Sequence, residues 1–157
     1  MAAGRWLSKE EERTWRGYRR MRALLDLQIS RDLSQDSGLS DADYDVLSTL
    51  TEIPERTWRA TELARRLLWS TSRLSHHLAR MEDRGLVLRT DCADDRRGAA
   101  VSLTEKGWVG INEAALHHVT SVRRHLFDLL TPAETRVLGT ISDKVIVHLS
   151  GDVEGLA

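Results

Sequence analysis

The sequence predicts a mainly α-helical chain with one small β-hairpin, and three observations carry that prediction. Apolar residues recur at three- and four-residue intervals over most of the chain. Helix-start signals, a capping Ser or Thr, stand ahead of several of these stretches. Two adjacent runs, LVLRT at 86–90 and AAVSLT at 99–104, read as strands joined by the polar, glycine-ended DCADDRRG.

Taken in order, Ser8 and Glu11 form a capping-box pattern that opens a first helix carrying Trp15, Tyr18, Met21, Leu25 and Ile29. SQDSG at 34–38 supplies its turn. Ser40 caps a second helix with Tyr44, Leu47 and Leu50, which Pro54 stops, and RTWRA at 56–60 is β-prone enough for one edge strand. Thr61 is placed to cap a short third helix through Leu63, Ala64 and Leu67. Only WSTS separates it from a fourth, whose Leu74, Leu78 and Met81 form a buried stripe and whose end suits Gly85, where a positive φ is wanted. Two short helices with so tight a connection have helix-turn-helix spacing. Beyond the hairpin, Trp108, Ile111, Ala115, Val119, Val122, Leu126 and Leu129 keep one face for about seven turns, a helix of roughly 40 Å at ~1.5 Å per residue. TPAE at 131–134 then opens a last helix with Leu138, Ile141, Val145 and Leu149.

The 157 residues fit one domain, 1–157. Apolar content of 41% beside 30% charged residues is that of a soluble globular protein, and no run approaches the roughly 18 uninterrupted apolar residues of a membrane span. The N-terminus turns acidic where a secretory signal would carry its apolar stretch, so a cytoplasmic protein without a membrane partner is expected. The one cysteine, Cys92, excludes an intrachain disulfide. Net charge is −1, but from Arg56 to Arg97 ten Arg face six Asp and Glu, a net of +4 that leaves −5 for the remainder.

That basic middle contains the fourth helix. At about 100° per residue, Ser72, Arg73, His76 and Arg80 fall opposite its apolar stripe, while His77 lies on the flank. Such a helix fits the DNA major groove, where Arg pairs with guanine and Ser or His bonds base edges or phosphates. Ser70 and Ser75 complete the set; the plainer alternative is a solvated amphipathic face. At the hairpin tip, Arg96 and Arg97 can enter a minor groove, with Asp95 bracing a neighbouring guanidinium; an ordinary polar turn is the alternative. Helix-turn-helix plus arginine-tipped hairpin makes a winged helix.

With these features the sequence resembles the MarR family of bacterial transcriptional regulators along nearly its whole length. GLSDADYDVLSTL is similar to the family's second helix, ATELARRL to its third, STSRLSHHLARMEDRGLV to its recognition helix, and DRRGAAVSLTEKG to its wing and the start of the next helix. The resemblance implies a homodimer whose first, fifth and sixth helices interlock. A winged DNA-binding lobe, 40–104, would lie between dimerisation segments 1–39 and 105–157. It further implies repression at palindromic operators with half-sites roughly 34 to 36 Å apart, and release by a small aromatic or lipophilic ligand. The ligand pocket would draw on Trp15, Tyr18, Arg22 and Tyr44, although Trp15 and Tyr18 read more simply as core, with Arg22 on the surface.

Other readings have weaker support. Cys92 invites redox sensing, but Asp91, Asp94 and Asp95 oppose the arginines that would lower its pKa. No His-x-x-x-His pair places two imidazoles on one helical face, and Glu113–His117 and His125–Asp128 read as solvated or dimer-edge pairs, so neither metal nor other cofactor is expected. No nucleophile–base pairing or Gly-rich phosphate loop suggests an enzyme. A winged helix used for protein interaction stays open as the alternative to DNA binding.

Overall fold

A computed structural model describes residues 6–91 and 99–153. Its helices are α1 (Lys9–Ser37), α2 (Asp41–Leu50), α3 (Ala60–Arg66), α4 (Thr71–Asp83), α5 (Glu105–His125) and α6 (Pro132–Val153), and its strands are β1 (Thr57–Arg59), β2 (Val87–Asp91) and β3 (Ala99–Leu103). The strands form an antiparallel sheet in the order β1–β3–β2, with Val101 of β3 opposite both Trp58 and Arg89. The β-prone RTWRA segment thus adds an edge strand to the far side of the hairpin.

Local chemistry places most of the boundaries. At α1 the Glu11 N–H donates to Ser8 Oγ (3.2 Å) and the Ser8 N–H to the Glu11 carboxylate (2.7 Å), which satisfies two otherwise orphan donors. Ser40 with Asp43 repeats the motif at α2, and Thr131 with Glu134 at α6. Gly38 and Gly85 end α1 and α4 with φ of 66° and 70°. Helix α3 departs from expectation: it begins at Ala60, and the residue at its cap position is Arg59 rather than Thr61, so no side-chain hydrogen bond caps the helix. The reason is that Arg59 is already held extended by pairing with Ala100, so the strand runs straight into the helix.

The core lies between α2, α3, α4, the sheet and the first half of α5. Val46, Leu47, Leu50, Leu63, Leu74, Met81 and Val101 are sealed from solvent, joined by Leu33 near the end of α1. Helix α5 stops at His125, a turn short of the expected Leu129; Leu126 leaves helical geometry (φ −135°, ψ −68°) and a 3-10 turn follows at Phe127–Leu129. Pro132 at the first position of α6 disfavours helical geometry at Thr131, so the chain must leave the α5 axis before it. The buried stripe of α5 is also rotated from the expected one. Gly107, Ile111, Ala114 and Ser121 face inward, while Val119 is exposed. Small residues on this stripe let α1 cross closely.

Two segments keep little inside. Trp15, Tyr18, Met21, Leu24 and Leu27 of α1 are exposed, as are Val137, Ile141, Val145, Ile146 and Leu149 of α6. Helix α6 touches the rest of the described chain only sparsely.

Candidate nucleic-acid interface

Helix α4 presents two chemically distinct faces. Leu74, His77, Leu78 and Met81 are buried, whereas Ser70, Ser72, Arg73, Ser75, His76 and Arg80 are exposed. The adjacent histidines are thereby separated: His76 is in solvent and His77 belongs to the lobe. Ser70 caps the helix by accepting the Arg73 N–H (3.2 Å), so its hydroxyl already has one partner.

Two of the exposed arginines are held rather than loose. The Arg73 guanidinium lies 4.0 Å over the Trp69 ring, a cation–π contact, and Arg80 Nη2 donates to His77 Nδ1 at 3.0 Å. Beneath them His77 Nε2 stands 3.1 Å from Asp43 Oδ1, without the alignment of a hydrogen bond. Asp43 Oδ2 accepts from Arg84 Nη1 (2.7 Å) and the Ser40 N–H (3.0 Å). Burial alone would raise the Asp43 carboxyl, but these bonds outweigh it and leave its pKa lowered. Burial lowers His77, and the charges of Arg80 and Arg73 add to that against the pull of Asp43.

The wing is tied to the same helix. Glu82 accepts from the Arg89 N–H (3.1 Å) and Arg89 Nε (2.8 Å), which hold its carboxyl below the ordinary range, and Lys106 Nζ donates to the Arg84 carbonyl (2.7 Å). Sequence reading missed these braces, because partners on opposite sides of the Gly85 turn share no helical spacing. Asp95, Arg96, Arg97 and Cys92 lie outside the described residues; the strands that carry them do not.

The four pocket candidates do not converge on one spot within the chain. Trp15 and Tyr18 stack on each other (5.8 Å between centroids) on the exposed half of α1, and Arg22 is exposed one turn further on. Tyr44 stacks instead on His118 of α5, at 4.3 Å. An open groove of about 530 Å³ beside α1 is lined by Gly17, Arg20, Met21, Leu24, Leu25, Gln28 and His125, none of the four. The helical pairings expected of two histidines also differ. His125 Nε2 meets Asp32 Oδ2 (2.9 Å), which also accepts from Ser121 (2.6 Å), while Asp128 pairs with Arg123; His117 stands 3.8 Å from Asp36 rather than pairing with Glu113. These partners come from α1, which no local spacing could indicate. Among the described residues no His, Cys, Asp and Glu group has the arrangement of a metal site, and no helix is long and apolar enough to cross a membrane.

A three-stranded sheet behind a helix-turn-helix, with the second helix exposing arginine, serine and histidine, defines a winged-helix DNA-binding protein. A sequence profile of the MarR family matches residues 37–98. The fold superposes on AbsC, a MarR family transcriptional regulator from Streptomyces coelicolor, with a TM-score of 0.87 and 40% identity over 94% of this chain and 99% of that one. It is similar also to Sco3205, another MarR family regulator of Streptomyces coelicolor, whose structure was solved in complex with DNA (TM-score 0.85, 41% identity, 90% and 89% covered). The HTH-type transcriptional regulator PapX of Escherichia coli is 27% identical over 72% of this chain and 68% of its own length. The chain belongs to the MarR family and is a DNA-binding transcriptional regulator.

Proposed function

We propose that the protein is a homodimeric cytoplasmic repressor of palindromic operators. Residues 40–104 form its DNA-binding lobe, and 1–39 with 105–157 its dimerisation segments. Ser70, Ser72, Arg73, Ser75, His76 and Arg80 enter the major groove, and Asp95, Arg96 and Arg97 engage the flanking minor groove. The observation that carries the reading is the outer face of α4, where Ser72, Arg73, His76 and Arg80 are exposed on a helix whose other side is core. Dimerisation is supported by α6, an apolar helix that its own chain leaves uncovered. A small aromatic or lipophilic ligand held near Trp15, Tyr18, Arg22 and Tyr44 releases the DNA, a role supported by the solvent-open stack of Trp15 on Tyr18.

The test is operator binding across a salt series. Arg73→Ala with Arg97→Ala is expected to weaken binding and to flatten its dependence on log salt by about one unit of slope for each arginine–phosphate pair removed. Unchanged binding by a folded double variant would overturn the assignment of these arginines to the DNA.

A further inference from the structure

We propose that His77 is a positioning residue for operator reading. As a neutral imidazole seated on Asp43, it holds Arg80 through Nδ1 and supports the indole on which Arg73 lies, so that protonating His77 weakens sequence-specific binding. The inference rests on the reading of α4 as the groove-facing helix.

The geometry sets the protonation state. Arginine only donates, so the 3.0 Å contact from Arg80 Nη2 requires a bare Nδ1, and the imidazole proton then sits on Nε2, the atom 3.1 Å from Asp43 Oδ1. Asp43 is itself fixed, almost fully buried and bonded to Ser40 and Arg84, so it presents a fixed negative charge to the Nε2 side of the ring from α2. On the other side the Trp69 ring meets His77 edge-on at 5.6 Å and 87°, and the Arg73 guanidinium lies across that indole. One buried ring therefore constrains two exposed arginines two helical turns apart. A long cationic side chain already confined before binding loses less rotamer freedom when it meets a base or phosphate.

Protonation reverses the arrangement. A hydrogen on Nδ1 faces the Arg80 N–H groups donor to donor, and the new charge joins those of Arg80 and Arg73 on α4. Asp43 and Asp45 of α2 are the charges that favour it. Because burial and the two arginines hold the His77 pKa below its ordinary value, the neutral form prevails near pH 7 and the loss appears on acidification. The His77 effect is read as a difference between variants that all retain the exposed His76, so whatever that side chain contributes to binding is common to them.

The probes are a duplex selected from random-sequence DNA by the wild-type protein and an unselected duplex of equal length. The readout is the ratio of the two affinities, with circular dichroism monitoring the fold at each pH. Arg80→Ala is expected to lower the ratio about tenfold, as the loss of one base-reading side chain does. His77→Phe, which keeps a ring beside Trp69 but has no acceptor, is expected to lower it about threefold to tenfold, and to add less than about twofold on an Arg80→Ala background. His77→Asn offers an acceptor near the Nδ1 position without titrating; it is expected to restore most of the ratio and to remove the part of the acid loss that wild type shows. If Arg80→Ala leaves the ratio unchanged, the groove-facing reading of α4 fails and this inference falls with it. If Arg80→Ala lowers the ratio but His77→Phe does not, or the two losses multiply, the positioning role alone is overturned. Should His77→Phe not fold, a His77→Asn curve that tracks wild type with pH overturns it equally.

Discussion

Gly107 is where a single hydrogen atom in place of a methyl decides the packing. A Cβ built there would stand 2.1 Å from the Leu86 carbonyl oxygen, because the start of α5 lies directly on the backbone leaving α4. The Gly107 N–H donates to Thr104 Oγ1 (3.0 Å), and that hydroxyl is 2.7 Å from the Gly85 carbonyl, so the contact is bonded as well as close. Gly107→Ala is expected to destabilise the protein by about 1–3 kcal/mol, the usual range for overpacking, seen as a lower urea midpoint at unchanged slope. Leu68 presents the opposite case. It adopts φ 55° in the turn before α4 with its side chain 79% exposed, so it carries left-handed strain and little packing. Leu68→Gly is expected to raise stability by about 0.5 kcal/mol, the relief of strain exceeding the added unfolded-chain entropy; a lower denaturation midpoint would show that the side chain packs in a way its exposure does not reveal.

Among the elements, the start of α2 is the joint on which α4 is mounted. Asp43 caps α2 and accepts Arg84 from the far end of α4, so one carboxylate serves two helices. Its folded pKa lies below the unfolded value near 3.9, so its contribution is full above that value and is lost as pH falls through the folded pKa. Asp43→Asn is expected to cost about 1–2 kcal/mol at pH 7, from a weakened cap and the absence of a charge-assisted bond, and to flatten the decline in stability below about pH 4. Urea denaturation at a series of pH values measures both effects. Element identity is largely legible in the sequence: the capping box at Ser8, the cap at Ser40, the Gly85 stop and the two-faced α4 all follow from residues a few positions apart. The end of α5 is not, because Val122, Leu126 and Leu129 continue the helical period beyond the point where the chain turns toward Pro132. Apolar period says which side a helix would bury, but not where the path must leave it.

Across the whole molecule, the described residues form a packed lobe and a helix, α6, with almost nothing among them to lie against. A 22-residue helix with Val137, Ile141 and Val145 in water gains little from intrinsic propensity and needs a packing surface to be stable. The exposed half of α1 carries the complementary apolar residues, Trp15, Tyr18, Met21 and Leu24. In the proposed homodimer these faces meet across the subunits, so Ile141→Asp with Val145→Asp is expected to leave a monomer in sedimentation equilibrium at micromolar concentration where the unsubstituted protein is a dimer, with loss of helical signal and of operator affinity. A double variant that sediments as wild type does would remove α6 from the proposed subunit contact.

By itself the sequence determined the helices, the hairpin and which of two adjacent histidines points outward, because caps, turns and amphipathic faces are written in neighbours a few positions apart. It also carried the motifs of the family to which the chain belongs. The three-dimensional packing alone shows that Asp43 meets His77 and Arg84, that β1 closes on β3 rather than β2, that Asp32 takes Ser121 and His125, and that a side chain at Gly107 would crowd the Leu86 carbonyl. Each of these contacts joins separate elements, and the crossing of two elements is set by the packing of all the others, which no local spacing encodes.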